Sequence, residues 1–124
     1  MQEVTPVSRP WTREELDYRP FIVIYEVTRA CNLACVHCRA EAQPHPHPLE
    51  LRTHESLRLL DEIAALHPAT LVLTGSDPLL RRDLETLIRH AVTAGVRVAI
   101  TPRVTRRATM AAMLNLKAWG ICGV

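Results

Sequence analysis

The chain has 124 residues, a formal net charge of +2 and a hydrophobic content of 48%. This length and apolar content predict one modest globular domain and argue against intrinsic disorder. The charge is too small to indicate a nucleic-acid-binding protein, and no apolar run is long enough to cross a bilayer. Three of the four cysteines fall between positions 31 and 38, which suits a reducing compartment better than disulfide pairing. We therefore expect a cytoplasmic protein with neither nucleic acid nor membrane as a partner.

The first part of the chain predicts an extension followed by a strand. Residues 1–20 contain three prolines and little apolar periodicity, so we interpret them as an N-terminal extension lying against the fold. Residues 21–26 form an apolar, β-branched run that is typical of a strand buried on both faces. A cysteine-rich stretch follows at once. Because ligand sites in parallel α/β folds lie at the carboxyl ends of strands, that stretch is placed where a ligand would bind.

Loops, helices and strands alternate along the rest of the chain. The predicted elements are a proline-rich connecting loop over 41–52, a helix over 54–66, a strand over 70–74, a helix over 84–94, a strand over 96–101, a helix over 110–119 and the beginning of a strand at 121–124. Thr53, Asp83 and Thr109 are the expected N-caps of the helices. This alternation predicts an α/β fold with a parallel sheet and outer helices, either an open sheet or a partial barrel.

The cysteine-rich stretch contains Cys31, Cys35 and Cys38 in a C-x3-C-x2-C pattern. Thiolates are the ligands of iron–sulfur clusters, and three thiols on one short segment can close a chelate around a single inorganic centre. A cluster of four irons held by three cysteines keeps one iron open for a small molecule. The alternative is a structural zinc site, although zinc modules more often use paired C-x2-C knuckles. The histidines available to complete such a site are His37, His45 and His47.

The cysteine motif and its flanks, Thr28 to Ala30 before it and Arg39 to Glu41 after it, resemble the radical S-adenosylmethionine (SAM) superfamily. The pattern T-R-x-C-N-L-x-C-x-H-C-R is similar to the haem- and peptide-modifying maturases of that family. The resemblance implies a 4Fe-4S cluster on the three cysteines, with SAM on the open iron and His37 near the adenine. It also implies reductive cleavage of SAM to a 5′-deoxyadenosyl radical, hydrogen abstraction from an unknown substrate, and an electron donor such as flavodoxin or ferredoxin.

A second stretch, Gly75, Ser76, Asp77 and Pro78, follows the second predicted strand. It resembles the family's G-G-E-P or G-G-D-P motif, which implies contact with the amino group of SAM. The sequence departs from the motif at Ser76, where a serine would cost about 1–2 kcal/mol if its φ were positive. The alternative interpretation is an ordinary Asp-Pro turn.

Three further features carry weaker signals. Arg103 follows the third predicted strand and would reach the cofactor carboxylate or, alternatively, be a solvated loop arginine. Cys122 is expected to be a small buried side chain at the end of the sheet away from the cysteine motif, and therefore not a fourth ligand. The tract from His45 to Pro48 is at most a weak metal chelate.

Radical SAM enzymes similar to this chain wrap six strand–helix units. At about 30 residues per unit, residues 21–124 hold three units and the start of a fourth. We therefore expect residues 1–20 to be an extension and residues 21–124 to be a truncated core, the N-terminal portion of a partial (β/α)6 barrel. The leading hypothesis is a radical SAM enzyme with no catalytic residue assigned. The alternative is a non-catalytic iron–sulfur or zinc-binding fragment that requires a partner chain.

Overall fold

The computed structural model describes residues 10–30, 45–102 and 108–123. The elements in chain order are α1 (Arg13–Tyr18), β1 (Ile22–Thr28), α2 (Thr53–Ala65), β2 (Thr70–Gly75), a short 3-10 helix (Pro78–Leu80), α3 (Leu84–Thr93), β3 (Val98–Ile100) and α4 (Met110–Trp119). The strands form one parallel sheet in the order β1-β2-β3. The α/β class predicted from alternating strands and helices is confirmed.

The hydrophobic core lies between one face of this sheet and the helices. Side chains of a strand alternate between its two faces, so every second residue of each strand enters the core. Fully buried core residues include Leu60 on α2, Leu71 and Leu73 on β2, Leu87 and Ile88 on α3, Ile100 on β3 and Leu116 on α4. The helices therefore cover one face of the sheet.

The opposite face of β1 is open in the described part of the structure. Ile22 and Ile24 are 51% and 68% exposed, whereas Tyr25 and Val27 are buried. The prediction that this strand is buried on both faces is therefore wrong. An unbroken apolar run does not reveal which of its faces a helix covers, because both faces carry the same kind of residue.

Residues 10–20 contain the helix α1, which apolar periodicity does not predict. The Thr12 hydroxyl accepts the Glu15 N–H at 3.2 Å, and the Glu15 carboxylate accepts the Thr12 N–H at 3.0 Å. This capping box was readable from the threonine and the glutamate three residues later. Arg19 Nε donates to the carbonyl oxygen of His67 at 2.9 Å, and its guanidinium lies 4.5 Å from the centre of the Trp11 ring. Arg19 thus ties α1 to the amino end of the sheet.

The helix starts agree only partly with the predicted caps. Thr109 caps α4 as predicted, since its hydroxyl oxygen accepts a backbone N–H of the first turn. Thr53 is instead the first residue of α2, and Arg52 occupies the cap position. Asp83 does precede α3, but its carboxylate makes no capping hydrogen bond. The Thr53 hydroxyl instead donates to the Asp83 carboxylate. This contact joins the starts of α2 and α3, and local sequence signals do not predict it.

No helix in residues 10–30, 45–102 or 108–123 has the length and apolar character needed to span a membrane.

Candidate functional site

The predicted cluster ligands fall outside the described residues. This applies to Cys31, Cys35 and Cys38, to His37 beside them, and to Arg103 after the third strand. The roles assigned to them from the sequence stay predictions. The structure does describe both flanks of the cysteine segment, up to residue 30 on one side and from residue 45 on the other.

The turn that follows β2 is hydrogen-bonded to the residues directly before Cys31. The N–H of Ser76 donates to the carbonyl oxygen of Thr28 at 3.0 Å, and the N–H of Asp77 donates to that of Ala30 at 2.9 Å. The Ala30 N–H in turn donates to the Thr28 hydroxyl at 3.1 Å. The turn after β2 therefore lies against the residues that lead into the cysteine segment, at the carboxyl edge of the sheet, as expected for loops that follow neighbouring parallel strands.

Gly75 makes this close approach of the two strand ends geometrically feasible. Its φ is +137°, and a Cβ added to it would lie 2.2 Å from the carbonyl oxygen of Thr28. A side chain at this position would overlap the β1 backbone, so glycine is required by both conformation and space.

Ser76, where the chain departs from the family motif, does not have the positive φ that would strain a serine. His67 is the only non-glycine residue with positive φ in the described part of the chain. The cost of about 1–2 kcal/mol for a left-handed serine therefore does not arise. The Ser76 side chain is fully buried, and this turn accommodates serine in an ordinary conformation.

We expect Ser76→Gly to lower the stability of the chain, although it restores the glycine usual in the family. Glycine adds backbone freedom to the unfolded state, and the substitution also removes a buried side chain, together about 1 kcal/mol. Urea unfolding followed by circular dichroism measures the change. Ser76→Ala is the control, because it keeps the Cβ and loses only the hydroxyl. A Ser76→Gly variant more stable than the wild type would contradict this account.

Asp77 and Pro78 close the turn by their own local chemistry. The Asp77 carboxylate accepts the N–H of Leu79 at 3.2 Å, and Pro78 begins the short 3-10 helix. Both residues are fully buried. The Asp-Pro turn is therefore a structural feature in its own right. The N–H groups of Ser76 and Asp77 already have protein acceptors, and the carbonyl oxygens of Asp77 and Pro78 accept the N–H groups of Leu80 and Arg81.

Arg81, just beyond this turn, joins four parts of the chain and was not singled out from the sequence. Its side chain is 5% exposed. It donates to the carbonyl oxygens of Val27 and Leu51, both at 2.7 Å, and to the Ser56 hydroxyl at 2.9 Å. It also binds both carboxylate oxygens of Asp83, at 2.7 and 3.2 Å. Nothing in the local pattern distinguishes it from its neighbour Arg82, because its partners other than Asp83 come from distant segments.

The ion pair between Arg81 and Asp83 is held in its charged form. Burial by itself lowers the pKa of Arg81, but the hydrogen bond and negative charge of Asp83 more than offset this effect, so that pKa is raised. Burial likewise raises the pKa of Asp83, but hydrogen bonds from Arg81 and from the Thr53 hydroxyl, the latter 2.6 Å long, bring it below its ordinary value. The pair therefore stays ionised at neutral pH and links the starts of α2 and α3.

We expect Asp83→Asn to lower the free energy of unfolding at neutral pH by about 2–4 kcal/mol, because it removes the nearer counter-charge of a buried guanidinium and leaves, among the described residues, only Glu50, 4.0 Å away. The folded pKa of Asp83 is depressed, so its contribution is full above the unfolded value of about 3.9 and is lost as pH falls through the folded pKa. The difference between wild type and variant should therefore be flat at neutral pH and shrink below about pH 4.

Urea unfolding at a series of pH values measures this difference. Glu85→Gln is the control, since the exposed Glu85 pairs with Arg89 on the surface of α3 and should cost at most about 0.5 kcal/mol. An Asp83→Asn effect that does not change with pH would contradict the assignment of this contribution to ionised Asp83.

The tract from His45 to Pro48 shows only a local structural role. The Nδ1 atom of His47 accepts the N–H of Leu49 at 3.0 Å, and both His45 and His47 are exposed. In the segments that the structure describes, which exclude the three cysteines, no group of three or more His, Cys, Asp or Glu side chains is placed to hold a metal ion. The weak chelate considered for this tract gains no support.

Cys122 differs from its prediction in exposure but not in location. Its thiol is exposed and accepts a hydrogen bond from Arg97 Nε at 3.3 Å, so the expected buried side chain is wrong. The Cys122 N–H donates to the carbonyl oxygen of Val98, the first residue of β3. It therefore lies near the amino ends of the strands, away from the edge where Ala30 leads to the cysteine segment. The predicted fourth strand begins here with a parallel bridge between Gly123 and Ala99.

A family model described as the radical SAM superfamily matches residues 25–121. The chain therefore belongs to the radical SAM superfamily, as the cysteine motif predicts.

Individual relatives come from the branch suggested by the residues around the cysteines. The chain is 41% identical over 99 residues to an AdoMet-dependent heme synthase of Oleidesulfovibrio alaskensis, covering 80% of this chain and 26% of that protein. It is 36% identical over 85 residues to an Fe-coproporphyrin III synthase of Methanosarcina barkeri, covering 68% and 21%. It is 34% identical over 116 residues to the mycofactocin maturase MftC of Mycolicibacterium smegmatis, covering 86% and 29%. The chain spans about a quarter of the length of these relatives. No solved structure matches it.

Proposed function

We propose that the chain binds a 4Fe-4S cluster through Cys31, Cys35 and Cys38, and SAM beside it. The observation that carries this proposal is the hydrogen bonding between the turn after β2 and Thr28 and Ala30. It puts the family's second motif against the residue that precedes the first cysteine. The donor set fits the group, since three thiolates are the usual protein ligands of a cluster with one open iron.

When bound, the cluster and SAM supply a one-electron cleavage of the sulfonium that yields methionine and a 5′-deoxyadenosyl radical able to take a hydrogen atom from a substrate. The protein's part is to orient the reactants and exclude water. In the proposal His37 contacts the adenine side of SAM. The turn from Gly75 to Pro78 contacts the amino group of SAM, as the resemblance to the family motif implies. The electron comes from a flavodoxin or ferredoxin in the cytoplasm.

The relatives include a protein named as a heme synthase and one named as a mycofactocin maturase, so the proposal specifies a reaction class, hydrogen abstraction, and leaves the substrate open. We further propose that residues 21–124 form the N-terminal portion of a partial (β/α)6 barrel, with residues 1–20 as an extension. Three parallel strand–helix units in sequential order support this arrangement.

Anaerobic reconstitution with ferrous iron and sulfide tests the proposal. We expect about four irons and four sulfides per chain, and formation of 5′-deoxyadenosine when SAM and a reductant are added. Stoichiometric zinc without sulfide would overturn the cluster assignment. A cluster that forms without any SAM cleavage would favour the alternative, a non-catalytic iron–sulfur fragment that requires a partner chain.

A further inference from the structure

Arg81 donates to one backbone carbonyl on each side of the cysteine segment. Val27 lies near the end of β1, four residues before Cys31, and Leu51 lies just before α2 on the other side. We propose that Arg81 is a positioning residue that fixes both ends of the cysteine-bearing connection between β1 and α2, so that its thiolates converge on one cluster. This inference rests on the proposed function.

An arginine suits this task better than a lysine would. The guanidinium is a planar fork with five N–H donors that point in fixed directions, whereas an ammonium offers three donors from one nitrogen. Val27, Leu51 and Ser56 lie in separate segments, yet Arg81 binds all three at 2.7–2.9 Å. Hydrogen bonds from a buried cation are stronger than those between neutral groups, so the carbonyls at both flanks are held firmly.

The Arg81 guanidinium is itself fixed by hydrogen bonds to Asp83 and Ser56. Asp83 binds it through two oxygens, and the Thr53 hydroxyl donates to Asp83 at 2.6 Å. On the other side, Ser56 shares a hydrogen bond of 2.8 Å with the hydroxyl of Tyr25 on β1. The starts of α2 and α3 and the end of β1 are therefore linked through a single side chain, and the ends of the cysteine segment cannot shift independently.

Groups that orient metal ligands from outside the coordination sphere commonly alter metal affinity by about 10- to 100-fold when mutated. We therefore expect Arg81→Lys to release iron from the reconstituted chain to a ferrous chelator about tenfold faster than the wild type. Without the cluster, we expect the variant to show faster amide hydrogen exchange in the two described flanks, residues 26–30 and 45–52, with α4 unchanged.

Two controls separate positioning from general stability. Arg89→Lys is the matched substitution at an exposed arginine that pairs with Glu85 on its own helix. Ile88→Val destabilises the buried core away from the flanks. The Ile88→Val and Arg81→Lys variants are compared at urea concentrations chosen so that both have the same free energy of unfolding. We expect neither control to raise exchange in the flanks or to release iron faster.

Iron release and hydrogen exchange in the flanks distinguish a positioning role of Arg81 from a general effect on stability. Equal iron release and equal flank exchange in Arg81→Lys and the stability-matched Ile88→Val would show that Arg81 only stabilises the fold, which overturns the inference. A wild-type chain that takes up no iron and sulfide would overturn the proposed function, while flank exchange still decides whether Arg81 anchors the connection. Should Arg81→Lys not fold, Asp83→Asn loosens the same guanidinium. It is expected to raise exchange in the same two flanks, and no rise there would also overturn the inference.

Discussion

Replacing Cys31, Cys35 or Cys38 by alanine, one at a time, is expected to reduce sulfide-bound iron to background after anaerobic reconstitution. In the proposed site each cysteine supplies the only protein ligand to one iron, so each loss leaves an iron without a protein ligand. Iron and sulfide analysis, with the absorbance of the reconstituted protein, measures the result. SAM cleavage should fall with it.

Cys122→Ala is the matched control for these variants. Its thiol is exposed and lies near the amino ends of the strands, where its N–H bonds to Val98. We expect this variant to bind as much iron and sulfide as the wild type. Retention of the cluster after loss of Cys35, or its disappearance after loss of Cys122, would show that the C-x3-C-x2-C motif is not the ligand set.

Gly75→Ala is expected to have the largest effect on stability of any single substitution in the turn after β2. The added Cβ would lie 2.2 Å from the carbonyl oxygen of Thr28, on backbone that pairs directly with Gly75 in the sheet. Relief requires the ends of β1 and β2 to separate, which also weakens the hydrogen bonds from Ser76 and Asp77. Overpacking and an unfavourable φ together should cost about 3–4 kcal/mol, a large share of the stability of a small domain.

Gly95→Ala isolates the conformational part of this cost. Gly95 also has a positive φ, +85°, but an added Cβ meets nothing within 4 Å. We therefore expect a loss of only about 1–2 kcal/mol, measured for both variants by urea unfolding. Equal losses would mean that the close approach of Gly75 to Thr28 contributes nothing. Gly75→Ala should also impair cluster assembly, because it separates the turn from the residues that lead into Cys31, whereas Gly95→Ala should not.

Local signals predicted the elements that depend on neighbouring residues. The helix α4 begins at a threonine cap and ends before Gly120, whose φ is +107°, and both features were readable because capping and left-handed stops involve residues within one turn. The parallel α/β class followed from alternating strands and helices. Membership of the radical SAM superfamily followed from three cysteines at fixed spacing, since ligands on one short segment form a pattern that needs no tertiary information.

Other features depended on contacts between distant segments, and only the tertiary structure decided them. Ile24 is exposed although it belongs to an apolar run, because the helices cover one face of the sheet. The Ser76 N–H donates to the carbonyl oxygen of Thr28, 48 positions earlier in the chain. Arg81 is the clearest case, since its partners at Val27, Leu51 and Ser56 lie 25 to 54 positions away. A buried charge takes its role from the acceptors that folding brings to it, and apart from Asp83 no short window of sequence around Arg81 contains them.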